Sequence, residues 1–144
     1  MNAAEETAPG SRRTGAKAAL AVVRVLLILE AAGVVAVLGW LIIDLMVLRP
    51  SSYATAIALI VVVALGAAWV VANAVGAMRL AGWSRGSAIV WQLLQLSIAF
   101  GAFQGLFARP DIGWLLLIPS IVITGLLVWS PVRLAFSRDA RDAD

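Results

Sequence analysis

The chain of 144 residues contains no cysteine and no histidine, and only 13% of its residues are charged. Without cysteine it has no disulfide framework and no thiol nucleophile, and without histidine it has no imidazole ligand or histidine general base. A water-soluble domain carries about 25% charged and about 45–50% apolar residues, whereas 62% of this chain is hydrophobic. These shortages exclude most familiar enzyme chemistries and argue against a water-soluble domain.

The sequence contains three long stretches without any charged residue. They cover 29 residues between Arg49 and Arg79, 23 between Arg85 and Arg109, and 21 between Asp111 and Arg133. Each reaches the roughly 20 residues with which an apolar α-helix crosses a hydrocarbon core about 30 Å thick. All three are therefore predicted to be transmembrane spans.

A fourth apolar stretch, at residues 18–48, is interrupted by Arg24, Glu30 and Asp44. Arg24 and Asp44 lie near its ends, where their side chains reach toward headgroups, so only Glu30 is a charge within the span. The sequence thus predicts an all-α polytopic membrane protein, an up-down-up-down bundle of four transmembrane helices. The predicted spans are about 20–48, 53–79, 86–108 and 112–134, within a transmembrane domain at 18–136 and between disordered cytoplasmic tails at 1–17 and 137–144.

The distribution of the basic residues predicts that both termini are cytoplasmic. This orientation places nine cations inside and leaves only Arg49 and Arg109 outside, as the positive-inside rule requires. The nine are Arg12, Arg13, Lys17, Arg24, Arg79, Arg85, Arg133, Arg138 and Arg141. The preference for arginine over lysine is typical of a GC-rich bacterium, so we expect a multi-pass protein of a bacterial cell membrane.

The net charge of +3 is explained by membrane orientation and contact with anionic headgroups, because the basic residues flank the spans. They are not interleaved with aromatic residues in a nucleic-acid-reading motif, so no nucleic-acid partner is expected. Trp83, Trp129 and Phe136 are predicted to lie at the inner membrane interface. A homo-oligomer or another membrane protein remains open as a further partner.

Polar residues inside the spans form the candidate site. Counted at 1.5 Å per residue from the nearest inner arginine, they fall within roughly 9–15 Å of the inner flank. The set is Glu30, Asn73, Gln92, Gln95 and Thr124, with Ser120 on the same helix face as Thr124. In each helix these residues share a face with small or apolar ones, including Val34, Val37 and Leu41 beside Glu30. We expect the four faces to converge, with Glu30 hydrogen-bonded to Gln92, Gln95 or Asn73.

Two interpretations of this polar layer stay open. In the first, the layer is structural or binds a partner protein, since interhelical polar bonds stabilise many membrane bundles. In the second, the protein is a proton-coupled small transporter or channel with Glu30 as its proton or cation site, because intramembrane carboxylates mark such pathways. No nucleophile elbow, phosphate-binding glycine loop or metal-spaced acidic motif is present, so no catalytic residue, cofactor or metal is predicted.

Three segments carry a resemblance to known proteins: Gly82-Trp83-Ser84-Arg85-Gly86, Trp91 to Leu96, and Ser130 to Phe136. Together they resemble small four-span membrane proteins of actinobacteria, which implies a membrane location and no particular chemistry. A carboxylate within the first of four short helices also resembles the small multidrug resistance family. That resemblance implies proton-coupled export by a dimer through Glu30.

Overall fold

The computed structural model describes residues 8–104, 108–134 and 136. It contains four α-helices: α1 (Ala8–Val47), α2 (Tyr53–Met78), α3 (Gly82–Ala102) and α4 (Pro110–Val128). Residues 130–134 are again helical after a bend at Trp129, and no strand occurs in the described part of the chain. The predicted all-α class is confirmed.

Helix α1 begins earlier than predicted, because residues 8–17 are helical and not a disordered tail. This part of α1 contacts the segment that follows α4. A Cβ on Gly15 would lie 3.7 Å from the Trp129 ring, and Ala19 belongs to the same buried apolar cluster as Val132 and Phe136. Phe136 is therefore packed against other residues of the protein, and its predicted depth at the inner membrane interface stays a prediction. Residues 1–7 and 137–144, predicted to be disordered, lie outside the described residues.

Among the described residues, three helices are long and apolar enough to cross a membrane: α1 from Thr14 onward, α2 and α4. Their outward faces are apolar, with Leu29 61%, Leu65 68% and Leu115 72% exposed, as expected when lipid tails are the solvent. Helix α3 is long enough, at about 31 Å. It is more polar because it contains Arg85, Gln92 and Gln95, so its crossing of the membrane stays a prediction.

The helices pair as two antiparallel hairpins, α1 with α2 and α3 with α4, and the hairpins contact each other through α2 with α3 and α1 with α4. Contacts between α2 and α3 include a hydrogen bond of 2.8 Å from Trp69 Nε1 to Ser87 Oγ. The Trp69 and Trp91 rings lie 6.1 Å apart. Helices α1 and α3 are diagonal to each other, with no Cα pair within 8 Å.

Buried apolar residues concentrate at one end of this assembly. We call this the inner end, and it carries the α2–α3 turn, Arg24 and Arg85. The cluster there includes Val23, Leu27, Val70, Ala74, Ala77, Ala88, Ile123 and Leu127. In contrast, α1 has no buried residue after Ala31 and α2 has none before Ala67. The core thus closes the inner half of the protein and leaves the outer halves of α1 and α2 exposed.

The buried face of α1 coincides only in part with the predicted one, since Val34 packs against the core. The structure buries Ala19, Val23, Leu27 and Ala31, which repeat every four residues, whereas the predicted face ran from Glu30 outward. Val37 of that predicted face is 47% exposed. Helix α1 is apolar on nearly all sides, so no polar stripe marks its packing face.

The α2–α3 turn brings two backbones very close together. Leu80 has a φ of 55°, which an L-residue adopts only at a cost, and the Ala81 amide donates to the Gly76 carbonyl at 2.9 Å. A Cβ on Gly76 would lie 2.5 Å from the Cβ of Ser84. Glycine at this position therefore allows the start of α3 to pack directly against the end of α2.

Candidate functional site

Glu30 is linked to the diagonally opposite helix. The Gln92 Nε2 atom on α3 donates to Glu30 Oε2 on α1 over 3.0 Å. Because the backbones of α1 and α3 are not in contact, this bond depends on the length of both side chains. Gln92 is fully buried, and the bond is one of those predicted from the sequence.

Gln95 and Trp91 lie next to the same carboxyl group. Both side chains are within electrostatic reach of Glu30. The Gln95 Nε2 atom donates to the Leu116 carbonyl of α4 over 3.4 Å. Gln95 thereby joins the Glu30 region to α4.

Ser120 connects α4 to Gln92 as well. Its hydroxyl donates to the Gln92 backbone carbonyl over 2.8 Å, and the residue is fully buried. Ser120 therefore lies at the depth of the Glu30–Gln92 bond, and three helices meet at this level.

Thr124 lies one turn nearer the inner end than predicted. Its depth was counted from Arg133, but α4 ends at Val128, so the residues after the bend do not add to the helix length. Thr124 is three residues from Leu127, whose carbonyl accepts from Arg85. Its hydroxyl is buried without a hydrogen-bond partner among the described residues.

Asn73 is the polar residue of α2 in this region, and it is fully buried. The Ala77 carbonyl, four residues further on, accepts from Arg24, and Glu30 is six residues beyond Arg24. At 1.5 Å per residue, Asn73 and Glu30 are therefore within about 3 Å of each other in depth. No hydrogen bond joins them, and neither polar atom of the Asn73 side chain has a partner in the described structure.

Unpartnered polar atoms are the main feature of this region, which we call the Glu30 layer: Glu30, Asn73, Trp91, Gln92, Gln95, Ser120 and Thr124. In the described part of the chain, buried side-chain atoms without a partner all belong to these residues. They are Glu30 Oε1, Asn73 Oδ1 and Nδ2, Trp91 Nε1, Gln92 Oε1, Gln95 Oε1 and Thr124 Oγ1. Buried polar groups are normally paired, and each one left unpaired costs about 1–3 kcal/mol. These unpaired groups therefore need an explanation, such as a bound water, an ion or a functional role.

Two arginines fix the inner end of each hairpin. Arg24 donates to the Ala77 and Met78 carbonyls at the end of α2, both at 3.1 Å, and Arg85 donates to the Leu127 carbonyl at the end of α4 at 3.0 Å. A cation at a helix C-terminus satisfies free carbonyls and interacts favourably with the helix dipole. Arg24 was predicted to reach toward headgroups, so this is a correction. The signal that could have revealed this role is that Arg24 and Arg85 each lie in the first helix of a hairpin, level with the end of the second helix.

The Glu30 layer contains a single carboxylate. Among the described residues, no group of three or more His, Cys, Asp or Glu side chains is placed to hold a metal. The other carboxylate of α1, Asp44, lies about 21 Å away along the helix. It lines a separate cavity of about 250 Å³ at the outer end, with Arg49 and Pro50. The layer therefore offers one carboxyl group, amide and hydroxyl oxygens, and no second acidic group for acid–base catalysis.

Comparisons with protein-family models, with curated proteins and with solved structures give no match.

Proposed function

We propose that this protein is a multi-pass protein of a bacterial cell membrane, with four transmembrane helices in a bundle and both termini in the cytoplasm. Three helices are apolar and long enough to cross the membrane. The side chains of α3 are also distributed as expected for a transmembrane helix. Its glutamines are buried, while Leu93 and Phe100 are 55% and 67% exposed. A helix with its polar groups turned inward and its apolar groups outward suits a lipid environment.

The absence of native cysteine makes the topology directly testable by single-cysteine labelling in whole cells. Ser51→Cys and Ala108→Cys occupy exposed positions in the two outer turns, and Arg79→Cys occupies the α2–α3 turn. With four spans, a membrane-impermeant maleimide labels the first two positions and leaves the third unlabelled until the cells are opened. If Ala108→Cys behaves like Arg79→Cys, α3 does not cross.

For the activity, we propose that the protein moves protons or small cations across the membrane through the Glu30 layer. The supporting observation is the set of unpartnered oxygens around a lone carboxylate, within helices that are otherwise apolar. Such a group is costly in a membrane and is retained mainly where it serves an ion or proton pathway. A layer serving only as packing would gain stability from pairing or losing these atoms.

A structural or partner-binding role is the second candidate, and a specific observation favours it. Gln92 receives a hydrogen bond from Ser120 and donates one to Glu30, so the layer holds α1, α3 and α4 together. Under this hypothesis the layer stabilises the fold, and the exposed faces bind lipid, a second copy or another membrane protein. Stoichiometric co-purification with such a protein, together with an absence of ion flux, would support it.

The deciding experiment measures ion flux in liposomes containing the purified protein and a pH-sensitive or Na⁺-sensitive dye. We expect flux in the wild type and none with Glu30→Gln, which keeps the side-chain shape and removes the charge. Asp44→Asn is the matched control, because it removes the other carboxylate of α1 far from the layer. Circular dichroism establishes that each variant is folded. Equal flux from Glu30→Gln and wild type, or no flux from a folded wild type, would contradict the proposal.

A further inference from the structure

The orientation of the two glutamine amides determines which atoms the Glu30 layer offers. Gln92 Nε2 is bonded to Glu30 and Gln95 Nε2 is bonded to the Leu116 carbonyl. Each amide nitrogen thus makes one hydrogen bond, and the amide atom without any partner is the oxygen. Gln92 and Gln95 are 0% and 6% exposed, so water outside the protein does not solvate these oxygens.

Acceptors outnumber donors among the unpartnered atoms. Oxygens of Glu30, Asn73, Gln92 and Gln95 accept only, and the Thr124 hydroxyl does either. The unpartnered N–H donors are those of Asn73 and Trp91. Each glutamine amide also keeps a second N–H, so the donor count alone does not select the guest. The carboxyl group of Glu30 does, because a cation complements a carboxylate and neighbouring amide oxygens better than an anion does.

Charge and size narrow the class of cation. Glu30 is the layer's only carboxyl group, and the ion pair present in the described structure is the distant Arg109–Asp111 pair. Glu30 therefore has no ion-pair partner among these residues. Divalent cations usually take several carboxylates or retained waters. The unpartnered atoms each expose less than 1 Å², which leaves no room for a hydrated ion or an organic cation.

We propose that the Glu30 layer binds one dehydrated monovalent metal cation of the Na⁺ class, through oxygens of Glu30, Gln92 and Gln95. The Asn73 oxygen, on the neighbouring helix α2 at a similar depth, is available to complete the shell. This inference rests on the proposed function and names the ion that the transport site takes. A proton competes with Na⁺ for the same Glu30 carboxylate, so the affinity for Na⁺ falls as the pH is lowered.

The test is an equilibrium measurement on the full chain in detergent. A ligand at free concentration c that binds only the folded state stabilises it by RT ln(1 + c/Kd), so the unfolding temperature rises with the logarithm of ligand concentration above Kd. The unfolding temperature is followed by tryptophan fluorescence in NaCl, KCl, CaCl₂ or choline chloride at constant ionic strength. We expect a rise that grows with the logarithm of the Na⁺ concentration, a smaller one or none with Ca²⁺, and no rise with choline. The rise should be lost in Glu30→Gln and in Gln95→Leu.

Two matched controls keep the interpretation specific. Asp44→Asn removes a carboxylate from the same helix as Glu30, and Gln104→Leu removes an exposed glutamine just after the end of α3. Both should keep the full Na⁺ response. If a variant of the layer does not fold, a Na⁺ titration of the wild type at several pH values serves instead, and weaker binding at lower pH is then the expected result.

Three results would overturn the inference. They are a wild type indifferent to Na⁺, an equal response from Glu30→Gln, and a Ca²⁺ response larger than the Na⁺ response. A wild type that moves protons in liposomes without any Na⁺ response keeps the proposed function and eliminates the metal ion. Conversely, Na⁺ binding without flux keeps the inference and eliminates transport.

Discussion

Substitution of Gly76 by alanine tests the packing between the hairpins. The added Cβ would lie 2.5 Å from the Ser84 Cβ and 3.1 Å from Trp83 Cζ2, whereas carbon atoms in contact prefer about 3.5–4.0 Å. The Ser84 Cβ is bonded to the backbone and does not rotate away, so α2 and α3 must separate by about 1 Å. Overpacking of this kind costs about 1–3 kcal/mol. Replacing a helical glycine by alanine gains about 0.5–1 kcal/mol, so we expect a net loss of about 0.5–2 kcal/mol.

The assay is unfolding in detergent followed by circular dichroism, with Gly33→Ala and Gly125→Ala as controls. These two glycines lie in α1 and α4, and a Cβ at either one has no neighbour within 4 Å. The same methyl group is added in all three variants, so the unfolding free energies isolate the effect of close approach. The controls should be stabilised by about 0.5–1 kcal/mol, because they restrict only the unfolded chain.

A second substitution shows whether the contact itself is responsible. Gly76→Ala combined with Ser84→Gly removes the clashing Cβ and should recover part of the lost stability, despite losing the Ser84 hydroxyl bond to the Ala81 carbonyl at 2.7 Å. If Gly76→Ala proves as stable as Gly33→Ala, the reasoning that the α2–α3 turn requires glycine is refuted.

Three further substitutions are expected to separate bonds that matter from bonds that do not. Arg24→Gln should lower the unfolding free energy by about 1–2 kcal/mol, because α2 loses its terminal hydrogen bonds. Arg79→Gln, on the exposed turn, should have little effect. Equal losses from the two variants would contradict the capping role of Arg24. Ser120→Ala should lower the unfolding free energy by about 0.5–1.5 kcal/mol in the same assay. Ser97→Ala should have almost no effect, because the Ser97 hydroxyl bonds only to its own helix on an exposed face. A larger loss from Ser97→Ala than from Ser120→Ala would contradict the importance of the interhelical bond. Leu80→Gly removes the strain of a positive φ, but it also removes a partly buried side chain. Leu80→Val places a β-branched residue in the same backbone conformation. Leu80→Gly should therefore lower the unfolding free energy less than Leu80→Val does.

The depth of the polar residues was accessible from the sequence because a helix rises by a constant distance per residue. Counting inward from Arg24 and Arg85 placed Glu30 and Gln92 at similar depths, and the structure joins them at 3.0 Å. The same count failed for Thr124 because its reference, Arg133, follows the bend at Trp129. A linear count is valid only while the helix continues.

The partner of each side chain was harder to predict, because it depends on how one helix is rotated and shifted against another. On α3, the polar residues marked the buried face correctly, since Gln92, Gln95 and Ala99 are all buried. On α1 nearly every face is apolar, and the buried face at Ala19 to Ala31 carried no distinguishing pattern. Where lipid and protein interior are equally apolar, hydrophobicity does not separate them.

The sequence by itself determined that the chain is helical, that most of it is too apolar for water, and that a few polar groups lie within its apolar helices. Hydropathy and helical rise are properties of a single segment, and they need no knowledge of its neighbours. Only the tertiary structure decided that Arg24 and Arg85 bind helix ends, that Gly76 admits Ser84, and that the glutamine oxygens around Glu30 lack partners. These features depend on distances of a few ångströms between different helices, which are set by packing.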